Sequence, residues 1–370
     1  MTSASQPSAR LDIAGLELPE LEARLVELGA PRYHARQIFA WVHRRGVTDF
    51  AAMSDLPKAL RAQVAEAWTV ETPTLVRKDV STDGTIKYLF ELADGARIES
   101  VFIPDTPAQT FCISTQVGCA MACAFCLTGK MGLTRHLTAG EIAAQVRVLA
   151  HDLGLAGPDT AFNVVVMGMG EPLHNYDATM AALRIVGDKA GLAVPARRIT
   201  LSTVGVVPGI DKLGREPFMP NLAISLHASH EDQRDALVPI NRKYDLEALI
   251  DACKRFPVTR RSRITFEYVL LKGVNDTPED ARRLVKLLDG IKGKINLLPL
   301  NAAPGIPFER PEDDRVDAFA KILADKGLTV SVRKSRGRDI RAACGQLIVD
   351  EGILGARAPR STAQSLAERL

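Results

Sequence analysis

Four of the six cysteines in this 370-residue chain fall within fifteen positions, in CISTQVGCAMACAFC at residues 112–126. Cys119, Cys123 and Cys126 form a C-x3-C-x2-C run, and Cys112 stands seven residues before it. Clustered thiols in a reducing compartment bind metal or do chemistry more often than they form structural disulfides. A structural zinc site wants four protein ligands from paired motifs, and no second pair lies within easy sequence reach. A four-iron cluster on three thiolates fits the count better, because its fourth iron keeps a position open for a substrate. Ferredoxins, which only pass electrons, supply four cysteines at other spacings. Zinc and three plain buried thiols are the alternatives.

Other residues have chemical potential. VVVMGMGEP (164–172) reads as a strand entering a glycine-rich turn, in which Gly168 and Gly170 let backbone approach a ligand and Glu171 can accept from an ammonium. It lacks the G-x-G-x-x-G of a dinucleotide site. Ser202, Ser225, His227 and Asn301 each stand at or just past the end of a predicted strand, where side chains converge on one mouth; ordinary strand-end polarity is the plain alternative. Cys253, in the helical stretch DLEALIDACKRF, reads as a small buried hydrophobe, the common role of a lone cysteine. Cys344 lies in the basic, glycine-containing RKSRGRDIRAACGQL.

These residues need a scaffold, and the chain alternates strand and helix from about residue 110. Strands are expected at 110–114, 163–168, 198–203, 221–227, 263–271, 294–300 and 328–332, several of them continuous apolar runs that suit parallel strands covered on both faces. Between them lie helices, the clearest starting at Thr138, which forms a capping-box pattern with Glu141. The fold class is α/β, and six or seven strands are too few for a full eight-stranded barrel, so a partial barrel is expected. The cysteine loop then falls at the carboxyl end of its first strand, the edge where such folds build active sites.

The first hundred residues differ. Ile38, Phe39, Val42, Phe50, Met53, Leu60 and Val64 have helical spacing, with Asp55 as a start signal for the last helix. Asp83-Gly84 and Asp94-Gly95 then separate β-rich runs, which predicts a three-stranded meander. Residues 1–104 are therefore read as an accessory domain, 105–347 as the core and 348–370 as a tail. With 46% hydrophobic and 25% charged residues the composition is that of an ordinary globular protein. No window approaches a membrane span and MTSASQPSAR has no apolar h-region, so a cytoplasmic protein without a membrane partner is expected. A net charge of +3 says little about nucleic acid, but residues 254–263 and 333–341 each hold five basic residues, enough to neutralise phosphates.

CAMACAFC followed after the next strand by MGMGEP resembles the radical S-adenosylmethionine (SAM) superfamily. QIFAWVH, LPKALR, STDGTIKYLF, VVVMGMGEPLHN, LSTVG, AISLHA, PLN and RGRDIRAACGQL add, in order over residues 33–347, a resemblance to the RlmN/Cfr family of RNA methyltransferases. The resemblance implies a partial (βα)6 barrel with an N-terminal RNA-binding helical and hairpin domain. It implies one [4Fe-4S] cluster on Cys119, Cys123 and Cys126, and SAM, two molecules per turnover, contacted by Gly170, Glu171, Ser202, Ser225, Leu226, His227 and Asn301. Cys344 would carry the methyl group, Cys112 would release the product through a transient disulfide, and Glu99 would be the general base.

The implied reaction is methylation of adenosine C2 in 23S rRNA at the peptidyl-transferase centre and in tRNA beside the anticodon, on an unstacked base. A reductant such as a flavodoxin system and a monomeric state go with it, and the long N-terminal region favours C2 over the C8 chemistry of the Cfr branch. A non-enzymatic iron–sulfur or zinc RNA-binding protein is the alternative outside the enzyme class.

Overall fold

The computed structural model describes residues 10–104, 108–157, 160–259 and 262–348. The tail expected over 348–370, apart from Ile348, lies outside the described residues, as do Arg260 and Arg261 of the first basic run. The chain opens with β1 (Leu11–Asp12), α1 (Leu18–Glu27), α2 (His34–Phe39), α3 (Lys58–Ala67) and β2 (Trp68–Thr69), the last pairing with β1. Ile38, Phe39, Val42, Phe50, Met53, Leu60 and Val64 are all buried, as their spacing requires. Asp55 does not cap α3, whose N-cap is Pro57; instead its carboxylate accepts from Trp41 Nε1 at 2.5 Å. Arg44 donates to the Gly191 carbonyl and Arg184 pairs with Glu17 at 2.7 Å, so this helical unit is bound to the core.

The meander forms as expected, with β3 (Thr74–Val80), β4 (Ile86–Glu91) and β5 (Arg97–Ile103) antiparallel and Gly84 and Gly95 at positive φ in the turns. Its place is not that of a separate domain. β5 pairs antiparallel with β6 (Gln109–Cys112), so the boundary expected at 104 falls inside a continuous ten-stranded sheet. β4 and β5 are buried over most of their length, with Tyr88 and Ser100 bonded to Asp152 and Gln145 of the core, contacts that a chain-order division could not register.

After β6 comes an antiparallel hairpin, β7 (Gln116–Cys119) and β8 (Gly132–His136), with the short helix α4 (Leu127–Lys130) between its strands. Then follow α5 (Ala139–Asp152), β9 (Phe162–Val166), α6 (Tyr176–Gly187), β10 (Ile199–Thr203), α7 (Val207–Leu213), β11 (Asn221–Ser225), α8 (Glu231–Leu237), α9 (Leu246–Arg255), β12 (Ile264–Leu270), α10 (Pro278–Leu287), β13 (Gly293–Pro299), α11 (Asp313–Asp325) and β14 (Thr329–Val332). Strands β6 and β9 to β14 are parallel neighbours in chain order, which makes six strand–helix units and a closing seventh strand. The sheet ends at β14 on one side and β3 on the other, so the barrel is open. Thr138 caps α5 reciprocally with Glu141. No described helix is long and apolar enough to cross a membrane.

Candidate active site

The carboxyl ends of five parallel strands converge on one cavity: Val166, Ser202, Ser225, Val269 and Leu298 line it. It encloses about 1010 Å³ including its open mouth, the size of a small-molecule site. Cys119, Cys123 and Cys126 line it, and so do Cys344 and Gly345, which lie against the end of the cysteine loop, where the Gly345 carbonyl accepts the Leu127 amide at 2.8 Å. The cysteine loop is fixed at both ends by the β7–β8 hairpin and at its middle by α8, whose Leu237 carbonyl accepts the Ala124 amide at 3.0 Å. Cys119, Met121, Cys123 and Phe125 pack with Leu237, Val238 and Leu271 in an apolar cluster. Burial pushes the Cys119 thiol up to about 12 and Cys123 well above its ordinary range, and the neighbouring Cys126 adds to Cys123. Such a set ionises together only with a cation among the sulfurs. Among the described residues no three His, Cys, Asp or Glu side chains converge as one metal ion requires.

Polar side chains share the cavity, with His227 packed edge-on against Phe125 of the cysteine loop at 4.7 Å between ring centroids. Ser202 and Ser225 hydroxyls lie 3.3 Å apart. His227, at φ 58, accepts the Val269 amide on Nδ1 at 3.0 Å, which leaves the ring proton on Nε2. Burial, helped by the Arg234 charge, lowers its pKa to about 3, so the ring is a neutral donor. Asn301 Oδ1 is buried without a partner and its side chain lines the cavity, an acceptor awaiting a ligand. Leu226 differs from its neighbours: its side chain is 1% exposed and faces the core, while its amide donates to the Glu267 carbonyl.

Two expectations change in detail. Glu171 lines the cavity, but its Oε1 accepts the Leu173 amide and its Oε2 the Val204 amide, both at 2.9 Å. Its carboxylate therefore ties the turns after β9 and β10 together, and burial raises it to about 7 despite those bonds. Gly168 and Gly170 are needed for packing as much as for ligand approach. A Cβ on Gly168 would stand 2.6 Å from Ser114 Oγ, and Gly170 has φ 107.

Glu99 is fully buried on β5 and is not among the cavity residues; Lys87 pairs with its Oε1 at 3.0 Å and the Ile348 amide donates to its Oε2 at 2.9 Å. Cys112 ends β6 between Val101 and Val165, and all six cysteines are free thiols. Burial, with the neighbouring Cys344 adding to it, pushes Cys112 up to about 12.

Two buried groups escaped sequence reading. Glu267 lines the cavity from β12, with Oε1 accepting from Asn296 Nδ2 at 2.9 Å. A lone acid in the apolar run ITFEYVLL was the available signal. Arg234, fully buried, donates to the Leu226 carbonyl, Asn241 Oδ1 and the Val204 carbonyl at 3.2, 2.9 and 2.5 Å, beneath the ends of β10 and β11. Nothing in the polar stretch HEDQRDAL marks it.

An open parallel barrel with three cysteines in the loop after its first strand defines a radical SAM enzyme. The chain matches the family model for the radical SAM superfamily over residues 113–288, and that for the ribosomal RNA large subunit methyltransferase N-terminal domain over 11–70. It is 50% identical to the dual-specificity RNA methyltransferase RlmN of Geobacter sulfurreducens over 96% of both chains. With that of Syntrophobacter fumaroxidans it shares 48% identity over 90% of this chain and 97% of the other. A crystal structure of a radical SAM methyltransferase from Sphaerobacter thermophilus matches with a TM-score of 0.86 at 50% identity, covering 91% of this chain and 99% of that one. The chain belongs to the RlmN family. The cofactors of that family, a [4Fe-4S] cluster and SAM, fit what is present: three thiols on an apolar wall face a partnerless amide oxygen, a neutral imidazole donor and a hydroxyl pair.

Proposed function

We propose that this chain methylates C2 of an adenosine in 23S rRNA and in tRNA, using Cys344 as methyl carrier and Cys112 as the releasing thiol. The observation that carries the reading is the placement of Cys344 on the same cavity as the three cluster cysteines. Cys119, Cys123 and Cys126 would hold the cluster, and Ser202, Ser225, His227 and Asn301, with backbone at Gly170, Glu171 and Leu226, would hold SAM. These groups supply, when bound, a transferable methyl and, on reduction, a carbon radical.

The chain's own part is to place sulfur. Cys344 loses its proton and takes the methyl. Loss of a hydrogen atom lets the S–CH2 carbon bond to adenine C2, which joins protein and RNA. The electron left on the base after addition would return to the bound cluster as C2 gives up its proton. The Cys112 thiolate would then attack the Cys344 sulfur, the S–CH2 bond breaking with its pair on the methylene carbon, which takes a proton to become the methyl. A disulfide would be left between the two sulfurs. Glu99 can serve as base for the C2 proton only after the Ile348 amide leaves it. A reductant such as a flavodoxin system, a monomeric state, a cytoplasmic location and an RNA-binding role for residues 1–104 belong to the same reading.

Incubation of a Cys112→Ala variant with SAM, reductant and RNA tests it. The expected result is a covalent protein–RNA adduct, with 2-methyladenosine and not 8-methyladenosine made by the parent protein. A variant that cleaves SAM but forms no adduct would remove Cys112 from the scheme, and absence of 5'-deoxyadenosine from the parent would leave a non-enzymatic RNA binder.

A further inference from the structure

Beyond β14 the chain runs to Cys344 without a helix or strand of its own. The upstream half of this segment rests on the turn between β3 and β4. Asp339 accepts from Ser81 Oγ at 2.5 Å on one oxygen and from the Thr82 amide at 3.1 Å on the other. Asp83 reaches back from the turn to accept the Gly337 amide at 2.9 Å. The two carboxylates thus bridge the same two segments in opposite directions. Gly337 is the point of closest approach: it has φ 60, and a Cβ there would meet Thr85 Cγ2 at 2.9 Å and Ala342 Cβ at 2.7 Å. The chain then folds back, with Arg341 at φ 53 and the Ala342 amide donating to the Gly337 carbonyl at 2.8 Å, and reaches Cys344 two residues later. On the far side, the Gly345 carbonyl accepts the Leu127 amide at 2.8 Å and the Leu347 carbonyl accepts from Thr128 Oγ1 at 2.7 Å.

We propose that the β3–β4 turn is a dock for the methyl-carrying cysteine, with Asp339 and Asp83 as positioning residues that set the Cys344 sulfur over the cavity. The inference rests on the role given to Cys344 above and brings the meander into the reaction. One sulfur must meet a SAM methyl, then an adenine, then Cys112. Misplacement by about 1 Å is enough to slow such steps ~100-fold. The downstream bonds alone fix only one end of a segment that must not swing.

The test uses full-length protein produced as apoprotein and then cluster-loaded, in the variants Asp339→Ala, Asp83→Ala and Asp339→Asn. Alkylation of Cys344 by iodoacetamide is followed by peptide mass, with buried Cys253 as internal control, and methylation of Cys344 is followed as mass gain on adding SAM. Asp339→Ala and Asp83→Ala are expected to raise Cys344 alkylation and lower Cys344 methylation, each roughly 10-fold, at unchanged iron content and melting temperature. Asp339→Asn keeps an oxygen for Ser81 but loses one acceptor, and should fall between them and the parent. Parental alkylation and methylation rates in both alanine variants would overturn the dock, and so would a lower melting temperature with unchanged Cys344 alkylation. If the parent gains no methyl on Cys344, the role of Cys344 fails instead, and the alkylation rates still decide the dock.

Discussion

On one side of the cavity Cys119, Cys123 and Cys126 lie within eight consecutive residues, framed by a hairpin and packed against Leu237, Val238 and Leu271. On another, Cys344 arrives on a segment without regular structure, held by hydrogen bonds to a turn, to α4 and to Glu99. Packing fixes the first wall; the second is held by those polar contacts together with the buried side chains of Ala343, Leu347 and Ile348 that flank Cys344. Close-packed apolar groups resist small displacements, whereas hydrogen bonds of about 1 kcal/mol each, such as the exposed one from the Thr82 amide to Asp339, can open one at a time. A ligand set for a cluster is held by its packing, and the Cys344 sulfur, on a segment without regular structure, depends on side-chain and backbone hydrogen bonds from both directions to stay in place.

Removing one sulfur from each wall should give the largest contrast. Cys123→Ala should lose its iron and form 5'-deoxyadenosine only at background. Cys344→Ala should keep its iron and its SAM cleavage while making no methylated RNA. Iron analysis, deoxyadenosine by chromatography and RNA mass spectrometry read the three quantities. Loss of iron in both variants would mean that the walls are one structural unit.

A smaller effect separates buried from exposed charge. Arg234→Met leaves the Val204 and Leu226 carbonyls and Asn241 Oδ1 without their donor. Each orphaned buried acceptor costs about 1–3 kcal/mol, and some relief comes from no longer burying a cation, so a net loss of ~3 kcal/mol is expected. A lower denaturation midpoint with unchanged slope would register it. A parental midpoint would show that the packed wall does not depend on this guanidinium.

The same division governs what the sequence could reveal. The cysteine spacing, the Thr138–Glu141 cap and seven apolar strand runs are local patterns, and each appears within two residues of its expected place, the largest differences being at strand ends, where β6, β9 and β11 stop two residues early. What stayed hidden depends on partners far along the chain. The β7–β8 hairpin consists of strands of four and five residues with a register shift at Gly118, too short and irregular for a period to show. Glu99 reads as a free strand carboxylate until Lys87 and Ile348 are seen on it. The dock likewise joins Asp83 to a segment more than two hundred residues away, and neither partner carries a mark of the other.

Cys112 gives the finest probe, because it belongs to the packed sheet by position and to the Cys344 side by chemistry. Burial first, then the Cys344 charge, raises its pKa from an ordinary 9.0 to about 12. The raised value means that the neutral thiol persists in the folded protein from pH 7 through about pH 10, whereas in the unfolded chain half is thiolate near pH 9. Iodoacetamide labelling of the Cys112 peptide between pH 7 and 10.5 should therefore stay slow when folded and rise with a midpoint near 9 in denaturant. Cys344→Ala removes the second cause and should shift the folded response modestly toward lower pH. A folded midpoint near 9 would place Cys112 on the accessible wall and dissolve the distinction. The slow outcome has a consequence for release: a neutral buried thiol does not attack until a base takes its proton, so the packed wall keeps Cys112 silent while the Cys344 sulfur is being loaded.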